Sequence, residues 1–86
     1  MKKLNIDIIK SNIQEAREQL QEIETSLLQK RSFNEGYLQV SIEHAYHHLN
    51  TAWNARFIPQ KRYKQSTNND YNTWGKYPQD IEVLKI

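Results

Sequence analysis

The sequence predicts an all-α protein: a long antiparallel helical hairpin followed by a short third helix. Three observations predict it. Apolar residues recur at heptad spacing through the first third of the chain, a second such row runs through the middle third, and the spacer between them leaves room only for a tight reversal.

The first row is Ile6, Ile9, Ile13, Ala16, Leu20, Ile23 and Leu27, with alternating steps of three and four, and neither Gly nor Pro occurs before Gly36. The intervening positions are mostly Glu, Gln, Lys, Arg and Asn, suited to a solvated face. A helix over about 5–30 is expected, with Asn5 as its N-cap and Asp7 near the positive end of its dipole. The second row is Leu38, Ile42, Ala45, Leu49, Ala52 and Arg56, widened by Tyr46 and Trp53. "SFNE" at residues 32 to 35 reads as a capping box, in which the Ser32 hydroxyl and the Glu35 carboxylate satisfy reciprocal backbone donors. A helix over about 33–57 follows, stopped by Pro59 because the residue before a proline avoids the helical region.

With so short a spacer, the helices are expected to be antiparallel neighbours. Pairing positions whose numbers sum to 65 matches Leu27 with Leu38, Ile23 with Ile42, Leu20 with Ala45, Ala16 with Leu49, Ile13 with Ala52 and Ile9 with Arg56. Each alanine then faces a larger aliphatic, as a close-packed interface requires. The same register sets Lys10 beside Trp53 and Arg17 beside Tyr46, two candidate cation–π pairs. That aromatic edge is more than two helices can cover.

Beyond Pro59 the character changes. "QKRYKQSTNN" reads as a polar, basic connector on the surface. Thr67 and Asp70 then resemble another cap, Tyr71 and Trp74 share a helical spacing, and Gly75 with Pro78 supplies a stop, so a short helix near 68–74 is expected. The ending "DIEVLKI" fits a strand, a short helix or an extended tail equally well. Tyr63, Tyr71, Trp74 and Tyr77 are expected to dock in part over the edge at Tyr46 and Trp53, each burying about 150–250 Å².

The chain of 86 residues has room for one core: a hairpin over 1–58, and a basic, aromatic segment over 59–86 docked on it. It contains no cysteine, so no disulfide or thiolate zinc site staples the fold, and stability must come from helix packing, a docked tail or a partner subunit. This composition fits a reducing cytoplasm. "MKKLNIDIIK" has the lysines of a signal peptide but no uninterrupted apolar stretch, so it is read as mature protein. No apolar run approaches the ~18 residues of a membrane span. Between residues 4 and 50, seven acids face four bases, a balance of −3; between 51 and 77, five bases face Asp70, a balance of +4. Such asymmetry favours contact between the two regions, within one molecule or across a dimer, as much as nucleic-acid binding.

For function, the richest stretch is "EHAYHHLNTAWNAR" at residues 43 to 56. Stepping about 100° per residue from Leu49, His48 and His44 fall on one flank of the helix and His47 nearly opposite the core. His44 and His48 have the i, i+4 spacing with which two imidazoles bind one divalent ion. A third ligand is missing, with Gln19 expected across from His48. They are therefore read first as histidines bordering a contact surface, with metal binding as the lesser alternative and no cofactor expected. Ser41 lies near the histidines without an evident oxyanion hole, and the glutamates of the first helix read as its solvated face. The function expected is a non-enzymatic helical interaction module (an adaptor, regulatory subunit or assembly factor) contacting a second copy or another protein through Tyr46, Trp53, His48 and Arg56. A C2 four-helix bundle is one way to cover the open face. The alternative is nucleic-acid binding through Lys61, Arg62, Tyr63 and Lys64, with phosphate contacts and base stacking.

Overall fold

The computed structural model describes residues 2–29 and 33–81. Four helices follow in order, with no strand among the described residues: α1, Ile6–Gln29; α2, Glu35–Asn54; α3, Gln60–Lys64; and α4, Asn68–Trp74. The expected all-α hairpin is present, as α1 packed along α2. The thinnest dimension, 21 Å, is about two helix diameters of 10–12 Å.

Asn5 starts α1 as expected. Its Oδ1 accepts from the Ile8 amide at 3.2 Å and its carbonyl from Ile9 at 3.2 Å, satisfying donors that no helix bonds internally at its first turn. The same residue ties the two helices together at the open end of the hairpin. Its amide donates to the Arg56 carbonyl at 2.7 Å, and its Nδ2 to the Ile58 carbonyl at 2.9 Å.

α2 begins two residues later than expected. Its N-cap is Asn34, whose side chain accepts from the Tyr37 amide at 2.9 Å; Ser32 lies outside the described residues. It also ends three residues early, at Asn54, because its last carbonyls find other donors. The Arg56 guanidinium takes the Trp53 carbonyl at 2.7 Å, and Asn5 takes that of Arg56. Pro59 therefore stops nothing. It stands at the N-cap of α3, where its carbonyl accepts from Tyr63 at 2.9 Å, so the stretch read as connector begins with a helical turn. Its fixed φ and the basic residues Lys61, Arg62 and Lys64 in the final turn both suit a short helix. α4 matches expectation, with Thr67 and Asp70 forming a reciprocal capping box at 3.2 and 3.0 Å. Of "DIEVLKI", residues 82–86 lie outside the described residues.

The seam is where structure and expectation part. Ala16, Ile23, Ala45 and Ala52 are buried as expected. Ile13, Leu20, Leu27, Ile42 and Leu49 are not: Leu20, placed at the centre of the seam, is 48% exposed. The contact face of α1 is rotated toward Ile8, Asn12, Ala16, Gln19 and Ile23, and that of α2 toward Ser41, Ala45, His48, Ala52 and Ala55. Contacts across the helices also slide the register. Asn5 with Arg56 and Ile58, Asn12 with His48, and Ser26 with Tyr37 have numbers summing to 60–63 instead of 65. The cause is side-chain size. On α2 that face carries the small residues Ser41, Ala45, Ala52 and Ala55, and on α1 the larger Ile8 and Ile23 are buried, so bulk on one helix is matched by small side chains on the other.

The C-terminal segment packs on α2 along a line other than the expected one. Ile8, Ala55 and Trp74 form the buried core, joined by Ile58 and Tyr63; Tyr63 stacks on Trp74 with centroids 5.4 Å apart. Asn50 donates to the Gly75 carbonyl at 2.8 Å, and Asn54 to those of Trp74 and Lys76 at 2.7 Å each. These are the carbonyls a helix end leaves unpaired, so the end of α4 docks through hydrogen bonds. Tyr71 and Tyr77 remain exposed. At the aromatic edge the cation over Trp53 is Arg56, 3.8 Å from the ring centroid, in place of the expected Lys10.

The rotated face makes a stability contrast. Ile8→Ala, at a site 1% exposed, is expected to cost about 2–5 kcal/mol, and Ala16→Leu about 1–3 kcal/mol by overpacking. Leu28→Ala, 85% exposed, is expected to change stability by less than about 0.5 kcal/mol. Urea denaturation of the three variants measures this; equal losses at all three would contradict the assigned face.

Candidate functional site

Rotation of the seam leaves a surface that the sequence reading had placed inside. Along α1, Ile6, Ile13, Leu20 and Leu27 are exposed at successive intervals of seven residues; along α2, Ile42, Tyr46 and Leu49 are exposed beside them. Leu20, Ile42, Ala45, Tyr46 and Leu49 line a shallow groove of about 270 Å³ between the helices. Lys10, Arg17 and Glu24 border this row on α1, and Glu35 and Glu43 on α2, all exposed.

The four residues expected to bind a partner do not form one patch. Tyr46 belongs to the apolar groove. Trp53 and Arg56 are engaged by the tail: the indole N–H donates to Asp80 Oδ1 at 2.9 Å, and the guanidinium meets Asp80 Oδ2 at 3.4 Å. The Trp53 N–H, and after it Arg56, hold the Asp80 carboxyl below its ordinary range. His48 lies on the other flank of α2, with His44 and Asn12.

That flank is built around Asn12, which is 4% exposed. Its Nδ2 donates to the Ile8 carbonyl at 2.9 Å and to the Tyr63 hydroxyl at 3.2 Å, leaving its Oδ1 3.0 Å from His48 Nδ1. Turning the amide round would set its oxygen against the Ile8 carbonyl, two acceptors in contact, so chemistry fixes the orientation. It follows that His48 Nδ1 carries a proton and donates. In the neutral ring, Nε2 is then a bare lone pair. His44 Nε2 stands 3.2 Å from it, close enough for His44 to donate its own proton there. Asn12, not the expected Gln19, is the cross-helix partner of His48, and only its i, i+4 spacing from Ile8 and Ala16 hinted at an inward position.

His47 does not point away, contrary to expectation. It is half-buried, with its ring centroid 3.9 Å from that of Tyr71, because α4 docks on that side of α2. Gly75 makes room for it: a Cβ there would fall 2.3 Å from His47 Nδ1. Burial lowers the pKa of His47, helped by the charges of His48 and His44. It also lowers that of His48, helped by His44 and opposed by Glu15. Among the described residues, no group of three or more His, Cys, Asp and Glu gathers into a metal cage.

The nucleic-acid candidates are divided as well. Arg62 meets Asp70 at 2.7 Å and lies over the Trp74 ring. The Asp70 carboxyl is held below its usual range by the Thr67 backbone N–H first and by Arg62 next. Tyr63 is stacked on Trp74 and bonded to Asn12, which removes its face from base stacking, while Lys61 and Lys64 are exposed. No helix among the described residues is long and apolar enough to cross a membrane.

The histidines set a pH dependence. Rings whose folded-state pKa lies below the ordinary 6.5 bind fewer protons folded than unfolded, so stability rises with pH across that interval. Their contribution is complete above about 6.5 and is lost as the pH falls through the folded-state values. Asp70 and Asp80 are depressed from 3.8 and act only at lower pH. The thermal midpoint is therefore expected to drop between pH 7.5 and 5, with a flatter profile in a variant carrying Gln at 44, 47 and 48; a flat wild-type profile would contradict this.

Against known proteins, the chain matches no family model, no curated protein and no solved structure.

Proposed function

We propose that the chain is a non-enzymatic helical interaction module, an adaptor or assembly factor acting in the cytoplasm, and that its first partner is a second copy of itself. One observation carries this: the exposed apolar row of Ile6, Ile13, Leu20 and Leu27, continued across the groove by Ile42, Tyr46 and Leu49. Seven residues is the repeat by which an apolar stripe stays in contact with a neighbouring helix. α1 also buries Ala16 and Ile23 at that interval, while the row through Leu20 faces outward. A contiguous apolar patch of this kind, rimmed by charge, marks a contact surface in small soluble proteins.

A second copy suits the row in shape and in sign. Two hairpins laid face to face complete a four-helix bundle. Lys10 and Arg17 border the row on α1, with Glu24 beyond them, and Glu35 and Glu43 border it on α2, so α1 of one copy against α2 of the other sets mostly opposite charges side by side. Such pairs add little affinity at a solvated rim but favour one orientation.

Sedimentation equilibrium at 5–100 μM loading, about the range for a micromolar dimer, is expected to give twice the mass of one chain. Leu20→Glu and Leu49→Glu are each expected to yield a monomer of unchanged helical content by circular dichroism, because both side chains are half-exposed within one copy. A wild-type monomer throughout the range would overturn the reading.

A further inference from the structure

Away from the apolar row, the opposite flank of α2 holds an arrangement with a chemistry of its own. We propose that His44 and His48 form an open binding site for one divalent transition-metal ion, with Asn12 as the positioning residue. The site and the self-association face are separate surfaces, and neither proposal rests on the other.

The argument begins with distance. Two nitrogens each about 2.0–2.1 Å from one zinc ion at a tetrahedral angle stand about 3.3–3.4 Å apart. The two Nε2 atoms already stand 3.2 Å apart, one helical turn from each other on α2. The helix brings the two imidazoles together one turn apart, so less conformational freedom is lost than for ligands from separate segments.

Tautomer comes next. A metal-binding histidine commonly donates its second ring N–H to a fixed acceptor, which orients the ring and leaves the ligating nitrogen bare. Asn12 Oδ1 does this for His48 at 3.0 Å and is itself locked by the Ile8 carbonyl and the Tyr63 hydroxyl. His44 is exposed, so on binding it releases its Nε2 proton to water and takes one at Nδ1, with no net change of charge on the ring.

Ligand type selects the ion. Two imidazoles favour zinc, nickel or copper over magnesium or calcium, which take oxygen ligands. The remaining positions go to water.

The test uses the full untagged chain titrated with zinc chloride at pH 7.5, followed by calorimetry and by NMR of the histidine ring nitrogens. One ion per chain is expected, with the Nε2 resonances of His44 and His48 shifting and those of His47 unmoved, and with excess magnesium leaving binding intact. His44→Ala, at an exposed position, is expected to weaken binding at least tenfold at unchanged helical content. Asn12→Ala, which removes the acceptor, is expected to weaken binding by about 10-fold or more and to lose the Nδ1–H tautomer of His48 in the ring-nitrogen spectrum of the metal-free chain. No saturable shift in the two rings, or a His44→Ala chain that binds as tightly as wild type, would overturn the proposal.

Discussion

The packing of α1 against a face of α2 built of small side chains is the constraint from which the rest of the architecture follows. Ala16 on one helix and Ser41, Ala45, Ala52 and Ala55 on the other are all buried. Of the larger aliphatics, Ile8 and Ile23 of α1 are buried there, and most of the rest lie on its flank. Ile13, Leu20, Ile42 and Leu49 end up on one side of the contact. The opposite side receives Asn12, His48 and the C-terminal segment. Had α1 and α2 met through their largest residues, the apolar row would have been consumed internally and Asn12 would face solvent.

A thin apolar core leaves polar groups to fix the positions of the elements. Asn5 joins the start of α1 to the chain after α2, Asn12 joins α1 to α2 and α3, and Asn50 and Asn54 hold the end of α4. Three of these bonds reach backbone carbonyls, those of Ile58, Gly75 and Trp74, groups that carry a desolvation penalty if left unpaired. Each net contribution is only about 0.5–1.5 kcal/mol, but the geometry is directional, and it selects one docking position where apolar contact alone would accept several. Among the described residues, no buried side-chain nitrogen or oxygen lacks a partner. For so small a chain, that satisfaction does what cysteines do in others.

These two features explain which parts of the molecule can be read from the sequence. Helix periods, the caps at Asn5 and Thr67, and the length of the spacer are local properties, and they place α1 and α4 nearly residue for residue. The face of a helix is a tertiary property. Large aliphatics dominate any periodic reading, so the row through Leu20 looked like the seam, while the quieter row of Ile8, Asn12, Ala16 and Ile23 is the one in contact. The same bias hid α3, whose turn starts at Pro59 without an apolar stripe. It also misplaced His47, because its partner Tyr71 is 24 positions along the chain. The i, i+4 pairing of His44 and His48 was legible from spacing alone; the amide that sets its tautomer was not, since Asn12 reaches it from another helix.

Both candidate surfaces lie on α2, and the helix keeps them apart. Stepping about 100° per residue from Leu49, the residues of the apolar row, Ile42, Tyr46 and Leu49, fall within about 60° of one another, while His48 and His44 lie about 100° and 140° round on the opposite flank. The buried stripe of Ser41, Ala45 and Ala52 runs between them. An ion held by the imidazoles therefore touches no side chain of the apolar row, and a second hairpin laid on that row leaves the imidazoles open to water. Coupling between the two events would have to pass through the packing of α1 against α2, where Asn12 is the residue common to the histidine flank and the interior. Because Asn12 is bonded in three directions to Ile8, Tyr63 and His48, the proposed metal site and the proposed self-association face are expected to act independently.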